Sequence, residues 1–206
     1  MVESHPRKKG WNYGVAVIAP TARTVVLVEG ESDREAVLAL AAARGADLEG
    51  DGVAVLAMGG VTNVARYAAE LGPPGRGLRL AGLYDAGEER FVRGGLERAG
   101  LDPGPGRAGL ATLGFHCCER DLEDELIRAL GVDRVLAVVA GQRELDSFRV
   151  LQQQPAQRGR RTEEHLHRFL GAGSGRKVRY GRLLVEALDG VAVPAPLDAL
   201  LADALA

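Results

Sequence analysis

The chain has 206 residues, 46% of them hydrophobic and 26% charged. This composition excludes a disordered chain, a collagen and a disulfide scaffold, and the length allows a core without a structural metal. No apolar run approaches the ~18 residues of a membrane span, and Met1–Gly14 is polar with no signal core, so a cytoplasmic protein with no membrane partner is expected. Cys117 and Cys118 are adjacent, which suits neither a disulfide nor a zinc site, so free thiols are expected. The formal net charge of −2 indicates no partner by itself, but its distribution is uneven. Gln142–Arg182 holds ten Arg/Lys against four Asp/Glu. Such a stretch suits a phosphate backbone or a solvated helical surface equally well. Only Lys8, Lys9 and Lys177 are lysines; every other basic residue is arginine.

In chain order, residues 1–21 form an expected N-terminal tail. TVVLVEG, Thr24–Gly30, is a β-branched run closed by glycine and reads as a buried strand. Ser32, with Glu35 three residues on, starts a helix that stops at Gly45. The pattern then repeats. Val53–Met58 is a strand, Gly59-Gly60 turn the chain, and VTNVARYAAEL is a helix ending before Gly72. Leu78–Asp85 is a third strand and Glu88–Gly100 a helix. GLATLGF, Gly109–Phe115, is expected as the fourth strand, followed by a helix over Asp121–Leu130 with an acidic start that suits the helix dipole. From Val132 onward only helical patterns occur, broken by a polar, Arg-rich loop at Pro155–Arg161. The expected class is α/β: a four-stranded parallel sheet flanked by helices over 22–131, then a helical extension over 132–206.

Ligands of open parallel sheets bind beyond the carboxyl ends of the strands. Three acidic clusters stand at those ends. Glu29 closes the first strand and Asp33 opens the following helix, with Gly30 between them. Asp85 closes the third strand, ahead of Gly87, Glu88 and Glu89. Glu119–Glu125 holds five carboxylates in seven residues, more than a helix N-terminus needs. Like charges so close repel unless a cation holds some of them. Oxygen donors suit Mg2+ or Mn2+, and two such ions ~4 Å apart activate water and stabilise the leaving oxygen of a phosphodiester. Lys177 is the one lysine outside the N-terminal tail that can neutralise transition-state charge. His165 and His167, two apart on a helix, are expected at the surface.

VEGESD, the Gly-Gly turn after the second strand and the aspartate after the third resemble a toprim domain. RDLEDELIRALG, with a helical extension carrying one lysine, is similar to the toprim domain of the OLD family (overcoming lysogenization defect). The resemblance spans roughly Thr24–Leu188 and implies a Rossmann-like toprim core and metal-dependent DNA cleavage, as an endonuclease or nickase. It implies Glu29 as metal ligand and general base, Asp33 and Asp85 completing one metal site, Asp121 and Glu123 contributing to a second, and Lys177 on the scissile phosphate. Gly30, Gly59 and Gly60 would shape the pocket floor, and Arg176, Arg179 and Arg182 would contact nucleic acid.

Two features depart from the family. Its usual Asp-x-Asp after the third strand is Asp85-Ala86-Gly87 here, leaving either Glu88 or Glu89 as a substitute or one metal weakly bound. OLD nucleases also carry an ATPase domain ahead of the toprim part, where about twenty residues stand here. GAGSGRK, Gly171–Lys177, is not a phosphate loop, so no ATP site is expected on this chain and an ATPase would come from another polypeptide. The alternative reading is a weakened toprim module that binds nucleic acid as an accessory subunit of a repair or phage-defence complex. A third is a nucleotidyl transferase or RNA-processing nuclease using the same carboxylates. A homodimer, covered by the Ala/Leu-rich tail from Pro194, is a further expectation.

Overall fold

Residues 18–173 and 175–206 are described by a computed structural model. The expected tail therefore lies outside the described residues up to position 17. Four short apolar runs form the strands β1 (Thr24–Val28), β2 (Val53–Ala57), β3 (Arg79–Asp85) and β4 (Phe115–Cys118). All pair in parallel, in the order β2-β1-β3-β4. The class and topology match the alternation of strand and helix in the sequence.

The helices are α1 (Glu31–Ala43), α2 (Val64–Leu71), α3 (Glu89–Arg98), α4 (Gly106–Thr112), α5 (Leu122–Gly141), α6 (Leu145–Gln152), α7 (Thr162–Leu170), α8 (Arg176–Glu186) and α9 (Ala195–Leu205). Successive side chains of a strand point to opposite faces. Val25 and Leu27 of β1 join the apolar layer with α2, α3 and α4. Val26 and Val28 join the other layer, with α1, α5, α7, α8 and α9. All four are fully buried, and each contributes about 1.5–3 kcal/mol on removal from water.

The fourth strand lies further along than its sequence suggests. Most of GLATLGF belongs to α4, and the strand is the following segment, Phe115–Cys118. A short apolar run does not by itself distinguish helix from strand. The register pairs Asp85 with Cys118, which brings the acidic segment after β4 beside the end of β3. The helix after it continues past the expected end to Gly141, kinked at Gly131 where φ is 73°.

The C-terminal helices pack onto the sheet rather than away from it. α9 buries Leu197, Leu200, Leu201 and Ala204 in the chain's own core. It is tied down by Arg44 on Asp198, by Arg79 donating to the Asp203 carbonyl at 2.7 Å, and by His116 Nε2 meeting Asp203 Oδ2 at 2.7 Å. The apolar residues expected to cover a partner subunit thus cover β1, β3, β4 and α1 instead.

α8 lies directly on α1. The approach is tight at Gly181, where a Cβ would fall 2.4 Å from the Ser32 carbonyl oxygen. No real side chain tolerates that distance, so glycine sets the spacing of the two helices. Gly181→Ala is expected to destabilise the fold by about 1–3 kcal/mol through overpacking. A lowered urea midpoint with an unchanged slope would record it; an unchanged midpoint would show that the helices part without cost.

Candidate metal centre

Three elements deliver carboxylates to the carboxyl edge of the sheet. Glu29 follows β1 directly. Its own carbonyl accepts hydrogen bonds from Gly59 N at 3.0 Å and Gly60 N at 3.2 Å, so the turn after β2 grips the end of β1. That turn requires φ of 71° and 121° at the two positions, which glycine alone adopts readily. Asn63 closes it by donating to the Met58 carbonyl at 2.9 Å.

Asp85 ends β3 and enters a 3-10 turn, Ala86–Glu88. Residues three apart eclipse in a 3-10 helix, so Glu88 arrives on the same side as Asp85. Carboxylate oxygens of Glu29, Asp85 and Glu88 lie within 4.8 Å of one another. Of the two substitutes open in the sequence, Glu88 joins this cluster. Glu89 instead lies 3.6 Å from both Arg93 and Arg107.

The other expected ligands flank this trio. Asp33 Oδ2 accepts from Gly30 N at 3.0 Å, closing the first turn of α1. Glu123, on α5, is buried and pairs with Lys177 Nζ at 3.2 Å, so α8 brings the cation to the centre. Asp121 has both oxygens engaged. Oδ1 accepts from Asp124 N at 2.8 Å as the cap of α5, and Oδ2 lies 2.5 Å from His167 Nε2.

The electrostatics follow from crowding. Burial pushes the Asp85 carboxyl up to about 7, with the charges of Asp121 and Glu88 adding to it. Burial, then Glu123, pushes Asp33 up to about 6. Glu88 is also raised, first by burial and then by Glu29. Asp121 goes the other way: burial opposes its charge, but the bonds from His167 and Asp124 N outweigh it. For Lys177 burial opposes the charge as well, and Glu123 and Asp33 overcome it, so the ammonium holds its proton more tightly than usual.

These residues fit a hard divalent cation. The donors are all carboxylate oxygens, as Mg2+ and Mn2+ prefer. Glu88 Oε2 is shielded from solvent and has no hydrogen-bond partner among the described residues. A buried carboxylate oxygen left so is costly unless a proton or a cation meets it, and the raised Glu88 carboxyl is open to either.

The arginines expected at nucleic acid have partners within the chain. Arg176 and Arg179 bond Glu144 at 3.3 and 2.9 Å, beside Tyr180 Oη at 2.7 Å. Arg182 bonds Glu186 at 2.6 Å. The two histidines expected at the surface are also used inside. His165 is buried, its Nε2 2.9 Å from the Gln157 carbonyl, and His167 holds Asp121. No local pattern signals that second pairing, because the partners are 46 positions apart.

A family model described as "Overcoming lysogenization defect protein-like, TOPRIM domain" matches residues 21–74. The fold is similar to the C-terminal region of the Xanthomonas campestris pv. campestris OLD protein. In its mercury-phased structure the identity is 25%, the alignment covers 91% of this chain and 96% of that one, and the TM-score is 0.62. The platinum-phased structure gives 25%, 89%, 94% and 0.64. The C-terminal region of the Burkholderia pseudomallei OLD protein shares the fold at 24% identity, with 90% and 99% coverage and a TM-score of 0.63. No curated protein matches the chain. Among the described residues no helix is long and apolar enough to cross a membrane.

Proposed function

Because the chain carries a toprim domain and is homologous to the C-terminal region of OLD proteins, we propose that it hydrolyses phosphodiester bonds of DNA with divalent cations, as an endonuclease or nickase. The observation that carries this reading is the trio Glu29, Asp85 and Glu88 at the ends of β1 and β3, with carboxylate oxygens within 4.8 Å. Glu29, Asp85 and Glu88 would hold one Mg2+ or Mn2+. Asp33, Asp121 and Glu123 stand beside them as donors for a second. When bound, the cations lower the pKa of water and stabilise developing charge on the phosphate oxygens.

The chain's own residues supply the rest. Glu29 would accept the proton of the attacking water. Lys177 keeps its proton at neutral pH and so presents a fixed positive charge to the scissile phosphate. Glu123 would position it through their 3.2 Å pair. His167 and Asp124 N orient Asp121. Glu88 supplies the carboxylate that Gly87 lacks, which favours a working centre over a decayed one.

The test is incubation with supercoiled plasmid and Mg2+ or Mn2+, against a chelator. Metal-dependent open circles or linear products are expected. No product with either ion would leave the nucleic-acid-binding reading. Lys177→Ala is expected to lower the nicking rate ~10²-fold, as loss of one preorganised transition-state contact does. A loss smaller than roughly threefold, under 1 kcal/mol, would reduce Lys177 to an ion-pair partner of Glu123.

A further inference from the structure

The arginines of the basic stretch divide into two groups. Arg176 and Arg179 share Glu144, and Arg182 pairs with Glu186 at the surface. Arg158, Arg160, Arg161 and Arg168 are exposed and take part in no ion pair among the described residues. Arg120 is exposed too, and its ion pair with Asp124, at 3.8 Å, is too long for a hydrogen bond.

The backbone that carries Arg158, Arg160 and Arg161 is fixed. The loop before α7 is pinned to it twice. His165 Nε2 meets the Gln157 carbonyl at 2.9 Å, and Arg161 N donates to Glu164 Oε2 at 2.9 Å. α7 is pinned in turn to the start of α5 by His167 and Asp121, 2.5 Å apart. Glu164 feels Arg161, Arg160 and Arg120 together: its carboxyl is lowered first by the Arg161 backbone N–H and then by these charges. Arg120 directly precedes Asp121, whose charge acts on Asp85. The basic rim thus begins at the edge of the carboxylate centre and continues along the loop.

A polyanion approaching that centre meets crowded carboxylates, which repel it. Fixed positive charge beside them offsets the repulsion. We propose that Arg120, Arg158, Arg160 and Arg161 form the track that holds the phosphodiester backbone of DNA on the Asp121 side of the metal centre. The inference rests on the hydrolysis reading for its substrate, but its test reads binding alone.

The test is fluorescence anisotropy of a short labelled DNA duplex across a KCl series, with chelator present. Each phosphate neutralised contributes about −0.9 to the slope of log K against log salt. The triple variant Arg158→Ala/Arg160→Ala/Arg161→Ala is expected to flatten the slope by about 2–3 and to weaken low-salt binding at least ~10-fold. The replaced side chains are exposed, and a thermal midpoint matching the wild type confirms the fold. Arg182→Ala, the control, is expected to keep the wild-type slope. An unchanged slope in the triple variant, an equal flattening in Arg182→Ala, or no binding by the wild type would overturn the track. Flattening as expected in a protein that never nicks DNA would uphold the track and remove the hydrolysis reading. Nicking with an unchanged slope would remove the track alone.

Discussion

Glu29→Ala is expected to abolish metal-dependent nicking of supercoiled DNA, and Glu88→Ala to cost about as much. Both lie in the group whose oxygens fall within 4.8 Å, so either change leaves two donors where three met. The two that remain can still hold Mg2+, but the ion is held less firmly and no longer fixes the attacking water and the phosphate in line. The expected loss in initial rate is ~10²-fold or more for each. Neither change should harm the metal-free fold, because removing one carboxylate relieves repulsion among the others. Glu89→Ala is the matched control, one residue further along but paired with Arg93 and Arg107. It is expected to nick at nearly the wild-type rate. Should Glu88→Ala keep its rate while Glu89→Ala loses it, the assignment of the third donor would be wrong. Full activity in Glu29→Ala would sink the whole centre.

The second large effect is on stability. Asp85 and Asp33 have carboxyls pushed up to about 7 and about 6 from an ordinary 3.8. The metal-free folded protein therefore binds these protons more tightly than the unfolded chain does. The stability they contribute is fully present below pH 3.8 and is lost as pH rises through 6 and 7. A bound cation replaces the protons and favours the charged carboxylates. Its stabilising effect must then grow over the same interval, because protons compete with it at the acid end. At a concentration of ~100 times its dissociation constant, a cation stabilises by about 2.7 kcal/mol. For a chain of this length that is a rise of about 5–10 °C in the thermal midpoint. Thermal scans with Mn2+ and with chelator, from about pH 5 to about pH 8, are expected to show the difference opening as pH rises. Asp85→Asn should flatten that trend. A difference that is constant, or largest at the acid end, would contradict metal binding at these carboxylates.

The first three strands were readable because each is a β-branched or apolar run ended by a punctuating residue, Gly30, Gly59 or Asp85. Their ends also carry Glu29 and Asp85, so that part of the centre could be located by topology alone. β4 was not readable. Its residues, Phe115–Cys118, include a histidine and two cysteines, and the apolar run before it is helical. Glu88 stood open as an alternative to Glu89, and choosing between them required the 3-10 turn that rotates one toward Asp85. The destinations of Arg176, Arg179 and His167 depend on contacts with Glu144 and Asp121, far away in sequence. Local periodicity carries no information about such pairs.

The close packing of α8 on α1 also bears on how the protein is made. Glu29, Asp85 and Glu88 leave the ribosome early, while Lys177 leaves late. The face of the sheet that carries Val26 and Val28 stays uncovered until α8 and α9 have left as well. Lys177 and the cover of that face thus arrive together, and the centre is complete only when Gly181 of α8 settles against Ser32.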